Sequence, residues 1–424
     1  MNRGNTLKSG RKEPERVILT MKKIFLIVLD GLGDRPNVEL QGRTALQAAY
    51  RPNLNRLVKD GQCGIMHPVS PGYRTGSDTS HLSLLGYDPE KFYTGRGPFE
   101  AMGLGMTVLG GDVAFRANFG TVDTNGVVTD RRAGRITSGT DKLAEALSFS
   151  VDGVDFFVRA GVEHRAALVM RGKDLMDRIT DSDPHEPGLR VQEVKPLDEK
   201  AKFTADVLNK YLALARKKLA DHPLNAKRIK EGKEPANELL IRGAGQAPSL
   251  TPFSELYGMK AACISGIPMI TGICRLIGMD SIAVEGATGR LDSDFRAKFE
   301  AAYRTLNDYD FLIMNIKATD VAGHDGDPIA KRDAIQRIDA AMKDIGKILQ
   351  DTVVCVTGDH STPCAMKDHS GDPLPILFNS SGIRKDRAKL FDEISCTYGT
   401  YNINSGDVMK VLLQLSDRAE KYGA

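Results

Sequence analysis

The sequence lacks the features of a membrane or exported protein. No apolar run in its 424 residues approaches the roughly 20 residues that a membrane-spanning helix needs. The basic segment 1–20 contains no apolar core of the kind found in signal peptides. The six cysteines form no CxxC pair and no regular framework, so we expect reduced thiols and a cytoplasmic protein.

The chain also lacks a strong charge of either sign. Its net charge is +3, and the first 23 residues contribute +5 of it through seven Lys or Arg and two Glu. The remainder therefore carries about −2, which gives no electrostatic basis for binding nucleic acid. The composition, 41% apolar and 27% charged, is that of an ordinary globular protein, and the length indicates two domains. We expect residues 1–20 to form a disordered extension.

Three apolar runs end in acidic residues. Residues 23–29, 311–316 and 353–356 read as strands that are buried on both faces. The acidic residues after them are Asp30, Asp320 and Asp359. Open α/β sheets bind ligands at the carboxyl ends of their strands, so three acidic residues at such ends indicate a shared site. The alternatives are that Asp30 belongs to a simple Asp-Gly turn and that Asp359 caps a helix.

Histidines accompany two of these acidic residues. His324 follows Asp320 by four residues, and His360 and His369 follow Asp359. If the three strands are parallel neighbours, the carboxylates and imidazoles gather in one crevice. That set of ligands suits two divalent ions such as Mn²⁺ or Zn²⁺ better than Ca²⁺ or a single Mg²⁺. Two metal ions serve displacement at phosphorus.

A serine precedes a helical pattern in the segment TGSDTSHLSLLG, residues 75–86. Ser77 is therefore either a helix N-cap, the commoner role, or a nucleophile at a helix end that attracts phosphate. His81 lies one helical turn later and faces the same site or satisfies a buried backbone carbonyl.

The pattern changes in the middle of the chain. Short alternating runs with Asp-Gly and Asn-Gly turns at 112–170 predict the hairpins of an α+β domain. A turn-rich loop at 180–188 and a charged, proline-containing connection at 221–237 follow. From residue 257 the α/β pattern returns, with further strands predicted at 260–265 and 281–286. We therefore expect a discontinuous core of residues 21–110 and 250–424, and an inserted unit of residues 111–249.

Five segments carry a family resemblance. They are LDGLGDRP (29–36), TGSDTSHLSLLGYDP (75–89), TGRGPFEAMGLG (94–105), KATDVAGHDGD (317–327) and TGDHSTPCAMKDHSGDPLPI (357–376). They resemble the archaeal-type cofactor-independent phosphoglycerate mutases of the alkaline phosphatase superfamily. The resemblance spans the folded chain from Asp30 to Ile376. It implies an α/β core with a doubly wound, mostly parallel sheet and an inserted, smaller α+β cap domain.

The resemblance also implies a set of ligands. One metal ion would lie on Asp30, Ser77, Asp359 and His360, and the second would lie on Asp320, His324 and His369. Ser77 would be the residue that is phosphorylated. Mn²⁺ is the expected metal, with Zn²⁺, Co²⁺ or Mg²⁺ as alternatives, and no 2,3-bisphosphoglycerate is expected.

The implied reaction interconverts 3-phosphoglycerate and 2-phosphoglycerate, with glycerate held while it re-orients against phosphorylated Ser77. Such retention needs a closing cap with cations that bind carboxylate and phosphate oxygens. The candidate contacts are Arg131, Arg135 and Arg242, with Asp183 and His185 as proton carriers. Ordinary surface ion pairs are the alternative for each arginine.

The whole chain has three alternative functions: it could be a phosphatase, a phosphopentomutase-like enzyme or a non-catalytic regulatory relative. The partner is a small molecule, with neither nucleic acid nor a membrane expected; the sequence does not set the oligomeric state.

Overall fold

The computed structural model describes residues 21–421 and Gly423, and the expected extension at 1–20 lies outside them. The strands are β1 Lys23–Leu29, β2 Gln62–His67, β3 Val113–Val122, β4 Val128–Asp130, β5 Phe149–Val151, β6 Val154–Ala160, β7 Arg165–Arg171, β8 Glu238–Gln246, β9 Ala261–Ile264, β10 Asp280–Ser281, β11 Phe311–Ile316, β12 Thr352–Thr357, β13 Leu374–Asn379 and β14 Tyr401–Asn404. The α-helices are α1 Ala45–Ala48, α2 Pro52–Asp60, α3 Ser77–Leu84, α4 Pro89–Phe92, α5 Gly97–Gly103, α6 Thr140–Ala146, α7 Lys202–Ala220, α8 Pro223–Lys230, α9 Phe253–Tyr257, α10 Pro268–Leu276, α11 Phe295–Thr305, α12 Ala318–Asp325, α13 Pro328–Ala341 and α14 Val408–Leu415.

The larger sheet has eight strands in the order β10-β9-β11-β1-β12-β13-β2-β14. The strands β10, β9, β11, β1 and β12 run parallel to one another, and β13 runs antiparallel to its neighbours β12 and β2. The strands β11 and β12 are wholly buried, because helices cover both faces of the sheet. The fold is therefore α/β with a mostly parallel sheet, as the sequence predicted.

The order of the central strands positions the site. β1 lies between β11 and β12, with Ile24 in register with Phe311 on one side and with Val353 on the other. All three strands run in the same direction, so their carboxyl ends meet at one edge. The prediction that these three runs are parallel neighbours is confirmed.

The smaller sheet uses only the middle of the chain. Its six strands have the order β4-β3-β7-β6-β5, with β8 pairing to the other side of β3, and every pair is antiparallel. The helix α7 packs on this sheet through Tyr211, whose ring stacks on Phe156 at a centroid distance of 3.9 Å. Each sheet has a separate apolar core. The limits of 111–249 for an inserted domain stay a prediction.

Two expectations for local structure were wrong. The predicted strand at 281–286 is reduced to β10, and residues 282–286 form no strand in the described part of the chain. The segment 221–237, which its charged and proline-containing composition predicted to be a connection, contains the helix α8. His222 caps this helix, and the buried Asn225 side chain donates to Leu219 O and Ala236 O, so long-range contacts hold a segment whose composition predicts a loop.

Across residues 21–421, no helix is both long enough and apolar enough to span a membrane.

Candidate functional site

The carboxyl edge of the larger sheet brings the predicted acidic residues together. Asp30 directly follows β1, Asp359 lies two residues after β12, and Asp320 lies in the first turn of α12, which begins two residues after β11. Each segment turns at once because a glycine or a helix start follows the strand. Gly31 has the left-handed φ of +65°, and a Cβ there would overlap Asp320 and Thr362. Glycine therefore permits the close approach of the loops.

The first cluster of the site consists of Asp30, Asp359 and His360, all fully buried. His360 Nε2 lies 3.6 Å from Asp30 Oδ1 and 3.4 Å from Asp359 Oδ2. The other carboxylate oxygen of Asp359 accepts hydrogen bonds from the backbone N–H groups of Gly31 and His360, at 3.0 and 2.9 Å. Among the described residues, Asp359 Oδ2 has no hydrogen-bond partner. A buried carboxylate oxygen that points at an imidazole nitrogen fits a metal ligand.

The second cluster consists of Asp320, His324 and His369. Asp320 Oδ1 lies 3.5 Å from His324 Nε2 and 3.6 Å from His369 Nε2, and the two Nε2 atoms are 3.1 Å apart. His360 Nε2 is 4.0 Å from Asp320 Oδ1, so His360 stands between the clusters. The three ligand atoms could therefore bind one divalent ion beside the first cluster.

Backbone carbonyls fix the rings of the second cluster. His324 Nδ1 lies 3.0 Å from Lys367 O, and His369 Nδ1 lies 2.8 Å from Thr75 O. A carbonyl can only accept, so each Nδ1 carries the proton and each Nε2 presents a lone pair to the cluster. The two carbonyl groups thus fix the orientation of both rings and leave each Nε2 able to bind a cation.

Lys317 is a member of the site that the sequence did not reveal. Its ammonium group lies 2.7 Å from Asp30 Oδ1 and 2.7 Å from Asp320 Oδ2. The pKa of Lys317 is raised, because these carboxylates outweigh the effect of burial, which alone would lower it. Its only sequence signal is its place directly after β11.

The local charge is unbalanced. Three carboxylates face the ammonium of Lys317 in this crevice. Burial, followed by the repulsion from Asp359, raises the pKa of Asp30. Additional positive charge would relieve this repulsion, and divalent cations supply it. The residues therefore fit a metal site by charge as well as by ligand type.

Ser77 is the first residue of α3, and Gly76 occupies the N-cap position without a side-chain bond. The Ser77 hydroxyl points at the first cluster instead, 3.1 Å from His360 Nε2 and 3.4 Å from Asp30 Oδ1. It also lies 3.2 Å from Lys317 Nζ. Of the two roles left open, the N-cap is thus excluded by geometry. His81 satisfies a backbone carbonyl, since its Nδ1 lies 2.6 Å from Ser77 O, and it also faces the site, because the same nitrogen lies 3.5 Å from Asp359 Oδ2.

A second, cationic cavity of about 320 Å³ lies on the smaller sheet. Six of its nine lining residues are arginines: Arg116, Arg131, Arg132, Arg135, Arg165 and Arg242. The other three are Asn118, Glu163 and His164. One carboxylate against six guanidinium groups makes this cavity, which we call the arginine pocket, a site for anions. All three arginines that the sequence singled out lie in it, and three more join them.

Asp183 and His185 lie beside the arginine pocket but do not line it. Asp183 is fully buried and accepts two hydrogen bonds from Arg131, at 3.0 and 2.6 Å, while Arg242 Nη1 lies 3.4 Å away. Burial would raise the pKa of Asp183, but its bond with Arg131 lowers it overall. The His185 ring is half exposed and pairs with Asp181 at 3.1 Å. The geometry therefore gives Asp183 an orienting position.

Comparisons with known proteins agree over most of the chain. The family model for 2,3-bisphosphoglycerate-independent phosphoglycerate mutase matches residues 58–225. Proteins of that name from Picrophilus torridus and Thermoplasma volcanium are 55% and 52% identical to this chain. These alignments cover 95% and 96% of the chain and all of each relative.

Two solved structures share the fold of this chain. The cofactor-independent phosphoglycerate mutase of Thermoplasma acidophilum is 49% identical, with a TM-score of 0.73 over 93% of this chain and all of that one. A Pyrococcus horikoshii protein is 35% identical, with a TM-score of 0.84 over 96% of this chain and all of that one. The fold and the edge clusters define an α/β enzyme with a mostly parallel sheet and candidate sites for divalent metal ions. Among such enzymes, the chain belongs to the family of 2,3-bisphosphoglycerate-independent phosphoglycerate mutases.

Proposed function

We propose that this protein interconverts 3-phosphoglycerate and 2-phosphoglycerate through phosphorylated Ser77, without 2,3-bisphosphoglycerate. The observation that carries the proposal is the position of Ser77. Its hydroxyl stands at a helix N-terminus, within 3.4 Å of groups from three different segments. The names of the relatives supply the substrate. The substrate is a small molecule, and the reaction belongs to the cytoplasm.

Two divalent ions complete the proposed site. Asp30, Ser77, Asp359 and His360 would hold one, and Asp320, His324 and His369 would hold the other. The free oxygen of Asp359 and the excess of carboxylates support this assignment. Mn²⁺ is the proposed metal, because mixed carboxylate and imidazole ligands suit it. When bound, such ions place positive charge against the phosphoryl oxygens.

The chain's own residues take part in two successive transfers of the phosphoryl group. The Ser77 hydroxyl gives up its proton and attacks the phosphorus of 3-phosphoglycerate. The bond from phosphorus to the C3 oxygen breaks as the new P–O bond forms, and the C3 oxygen takes up a proton. Lys317, 3.2 Å from Ser77 Oγ, keeps an ammonium beside the charge that develops there. The C2 hydroxyl of the retained glycerate then gives up its proton and attacks the phosphorus of phosphorylated Ser77. The bond from Ser77 Oγ to phosphorus breaks, Oγ takes a proton back, and 2-phosphoglycerate is the product.

Retention of glycerate separates a mutase from a phosphatase. In a phosphatase, water would attack the phosphorylated serine at the second step. The arginine pocket supports the mutase, because paired guanidinium forks bind a carboxylate at two points. Arg131, Arg135 and Arg242 are proposed substrate contacts. Asp183 would hold Arg131 and Arg242 in place, and His185 remains the proposed proton carrier.

A coupled assay tests the reaction directly. The protein receives 3-phosphoglycerate and Mn²⁺ without 2,3-bisphosphoglycerate, and both 2-phosphoglycerate and free phosphate are measured. We expect 2-phosphoglycerate to dominate, and predominant phosphate release would favour the phosphatase alternative. Turnover of a pentose phosphate alone would favour the phosphopentomutase-like alternative. The absence of any turnover would favour the regulatory relative.

The Ser77→Ala variant tests the mechanism. We expect turnover to fall by at least roughly 10³-fold, because no other described group takes the position of the nucleophile. The matched control is Thr79→Ala on the same helix, whose hydroxyl donates to Gly76 O and faces neither cluster. Full turnover in Ser77→Ala would contradict the phosphoserine step.

Removal of metal ions tests the proposed metal sites. We expect a chelator to abolish turnover and added Mn²⁺ to restore it, whereas activity that survives chelation would contradict the metal proposal.

A further inference from the structure

The segment that precedes α5 is fixed to the smaller sheet. Residues 94–97 run beside the end of β8, where a Cβ at Gly95 would overlap Ala244 O and a Cβ at Gly245 would overlap Thr94 O. The Thr94 hydroxyl donates to Gln246 O. These close approaches leave the backbone around Arg96 little freedom.

Arg96 lies between β8 and α3, the helix that begins at Ser77. Its Cβ lies 3.7 Å from the Cβ position of Gly243, the residue after Arg242. At its other end, Arg96 Nε is 3.6 Å from an oxygen of Asp78, the buried residue next to Ser77. Among the described residues, the buried Nε atom of Arg96 has no hydrogen-bond acceptor. The guanidinium group therefore has a defined position but lacks a partner for this N–H group.

Asp78 is itself held in place. It accepts hydrogen bonds from the Tyr93 hydroxyl and the Thr79 N–H, both at 2.9 Å. An anchored carboxylate at 3.6 Å orients the guanidinium of Arg96 without making a short ion pair. The donors of Arg96 thus remain free for a ligand.

The charge around Arg96 points to an anion. Arg116 has a pKa of about 10, lowered first by burial and then by the nearby charge of Arg96. The pKa of Arg242 is also lowered, with Arg96 among the causes after burial. Arg96 does not line the arginine pocket itself, but it adds positive charge close both to that pocket and to Asp78, the residue after Ser77.

We propose that Arg96 binds the carboxylate of phosphoglycerate and holds it while the two hydroxyl groups of glycerate exchange places. This proposal rests on the proposed function. Lys317 and the metal clusters surround the Ser77 hydroxyl, where the phosphoryl group would bind, whereas Arg96 lies close enough to the arginine pocket for its charge to act on Arg116. If the carboxylate stays fixed, rotation of the rest of the molecule presents the C2 and C3 hydroxyls in turn. Arg96 is thus a specificity-determining residue.

A binding experiment with two ligands tests this role. Calorimetry in the Ser77→Ala background with Mn²⁺ compares 3-phosphoglycerate with glycerol 3-phosphate, which has the same phosphoryl group but no carboxylate. We expect Arg96→Gln to weaken binding of 3-phosphoglycerate roughly 10- to 100-fold, the usual range for a lost charged hydrogen bond. Binding of glycerol 3-phosphate should change less than about twofold, since the variant removes only a carboxylate contact.

The matched control is Arg275→Gln. Arg275 donates to Met102 O and Gly103 O at the far end of α5, outside the arginine pocket, so neither affinity should change. If Arg96→Gln does not fold, as judged by circular dichroism, Arg96→Lys takes its place, because one ammonium cannot reproduce the two-point contact.

Equal weakening for both ligands would overturn the proposal and place Arg96 on the phosphoryl group. Unchanged affinity for both would overturn it as well. The wild-type coupled assay separates this result from the proposed reaction. A carboxylate-specific loss in a protein that forms no 2-phosphoglycerate would leave the Arg96 site standing and reject the reaction.

Discussion

Glu393 is a buried carboxyl group outside the proposed site. The Thr44 hydroxyl donates to its Oε2 at 2.8 Å, while Oε1 has no partner among the residues that the structure describes. Burial raises the pKa of Glu393 from 4.5 to about 7, with Asp392 adding to the shift and Lys331 opposing it. The folded protein therefore binds this proton more tightly than the unfolded chain. Its contribution to stability is complete below about pH 4.5 and is lost as the pH rises through 7.

We expect Glu393→Gln to raise the free energy of unfolding by about 1–3 kcal/mol at pH 8 and to give no gain at pH 4. Glutamine keeps an acceptor for Thr44 and removes the buried charge. Urea denaturation at both pH values measures the difference, with Glu39→Gln on the exposed surface as the control. An equal effect at the two pH values would show that the charge is not the cause.

The residue scale also shows where prediction from sequence ends. Asp30, Asp320 and Asp359 could be found because each follows a recognisable strand. Lys317 also follows a strand directly, and Arg96 lies between two glycines, but a lysine or an arginine at such a position is too common to indicate a site. Their positions depend on carboxylates that are distant in sequence, such as Asp30 for Lys317. The catalytic and ligand roles of all these residues stay predictions.

At the scale of elements, α5 and α10 approach each other through glycines. A Cβ at Gly103 would overlap Pro268 O, and a Cβ at Gly272 would overlap Phe99 O. Because α5 also packs against β3, this contact joins the two sheets.

We expect Gly272→Ala to destabilise the protein by about 1–3 kcal/mol, because overlap with a backbone carbonyl outweighs the roughly 1 kcal/mol that alanine gains in a helix. The control is Gly110→Ala, where nothing lies within 4 Å of the added Cβ. Chemical denaturation of both variants gives the comparison. A Gly272→Ala protein as stable as the control would mean that the helices move apart at little cost.

The elements differ in how well the sequence predicted them. The apolar runs of β1, β11 and β12 were recognised, since strands buried on both faces need continuous apolar residues. The strand predicted at 281–286 was too long, because only Asp280 and Ser281 pair with β9. The helix α8 was missed because its residues are polar and its stability comes from the buried contacts of Asn225.

At the scale of the whole molecule, charge is separated between two sites. The carboxylates lie at the edge of the larger sheet, and the arginines lie in the pocket on the smaller one. Such a pocket attracts an anionic substrate electrostatically. The range of this attraction, the Debye length, falls from about 30 Å at an ionic strength of 0.01 M to about 3 Å at 1 M.

We therefore expect kcat/KM for 3-phosphoglycerate to fall about 5- to 10-fold between low salt and roughly 0.5 M KCl, with a smaller change in kcat. Arg132→Gln removes one of the lining charges and should reduce this dependence on salt. Steady-state kinetics across a KCl series provides the measurement. A kcat/KM that does not respond to salt would argue against electrostatic attraction by the pocket.

The position of β1 between β11 and β12 has a consequence for synthesis on the ribosome. Ile24 pairs with Phe311 and Val353, so β1 is made long before either neighbour. At 5–20 residues per second, the strand waits roughly 15–60 s for β11 alone. All six strands of the smaller sheet lie between Val113 and Gln246, so that sheet can form during the wait. The nascent chain must shield KIFLIVL until its C-terminal third emerges, and any metal ion can bind only after that.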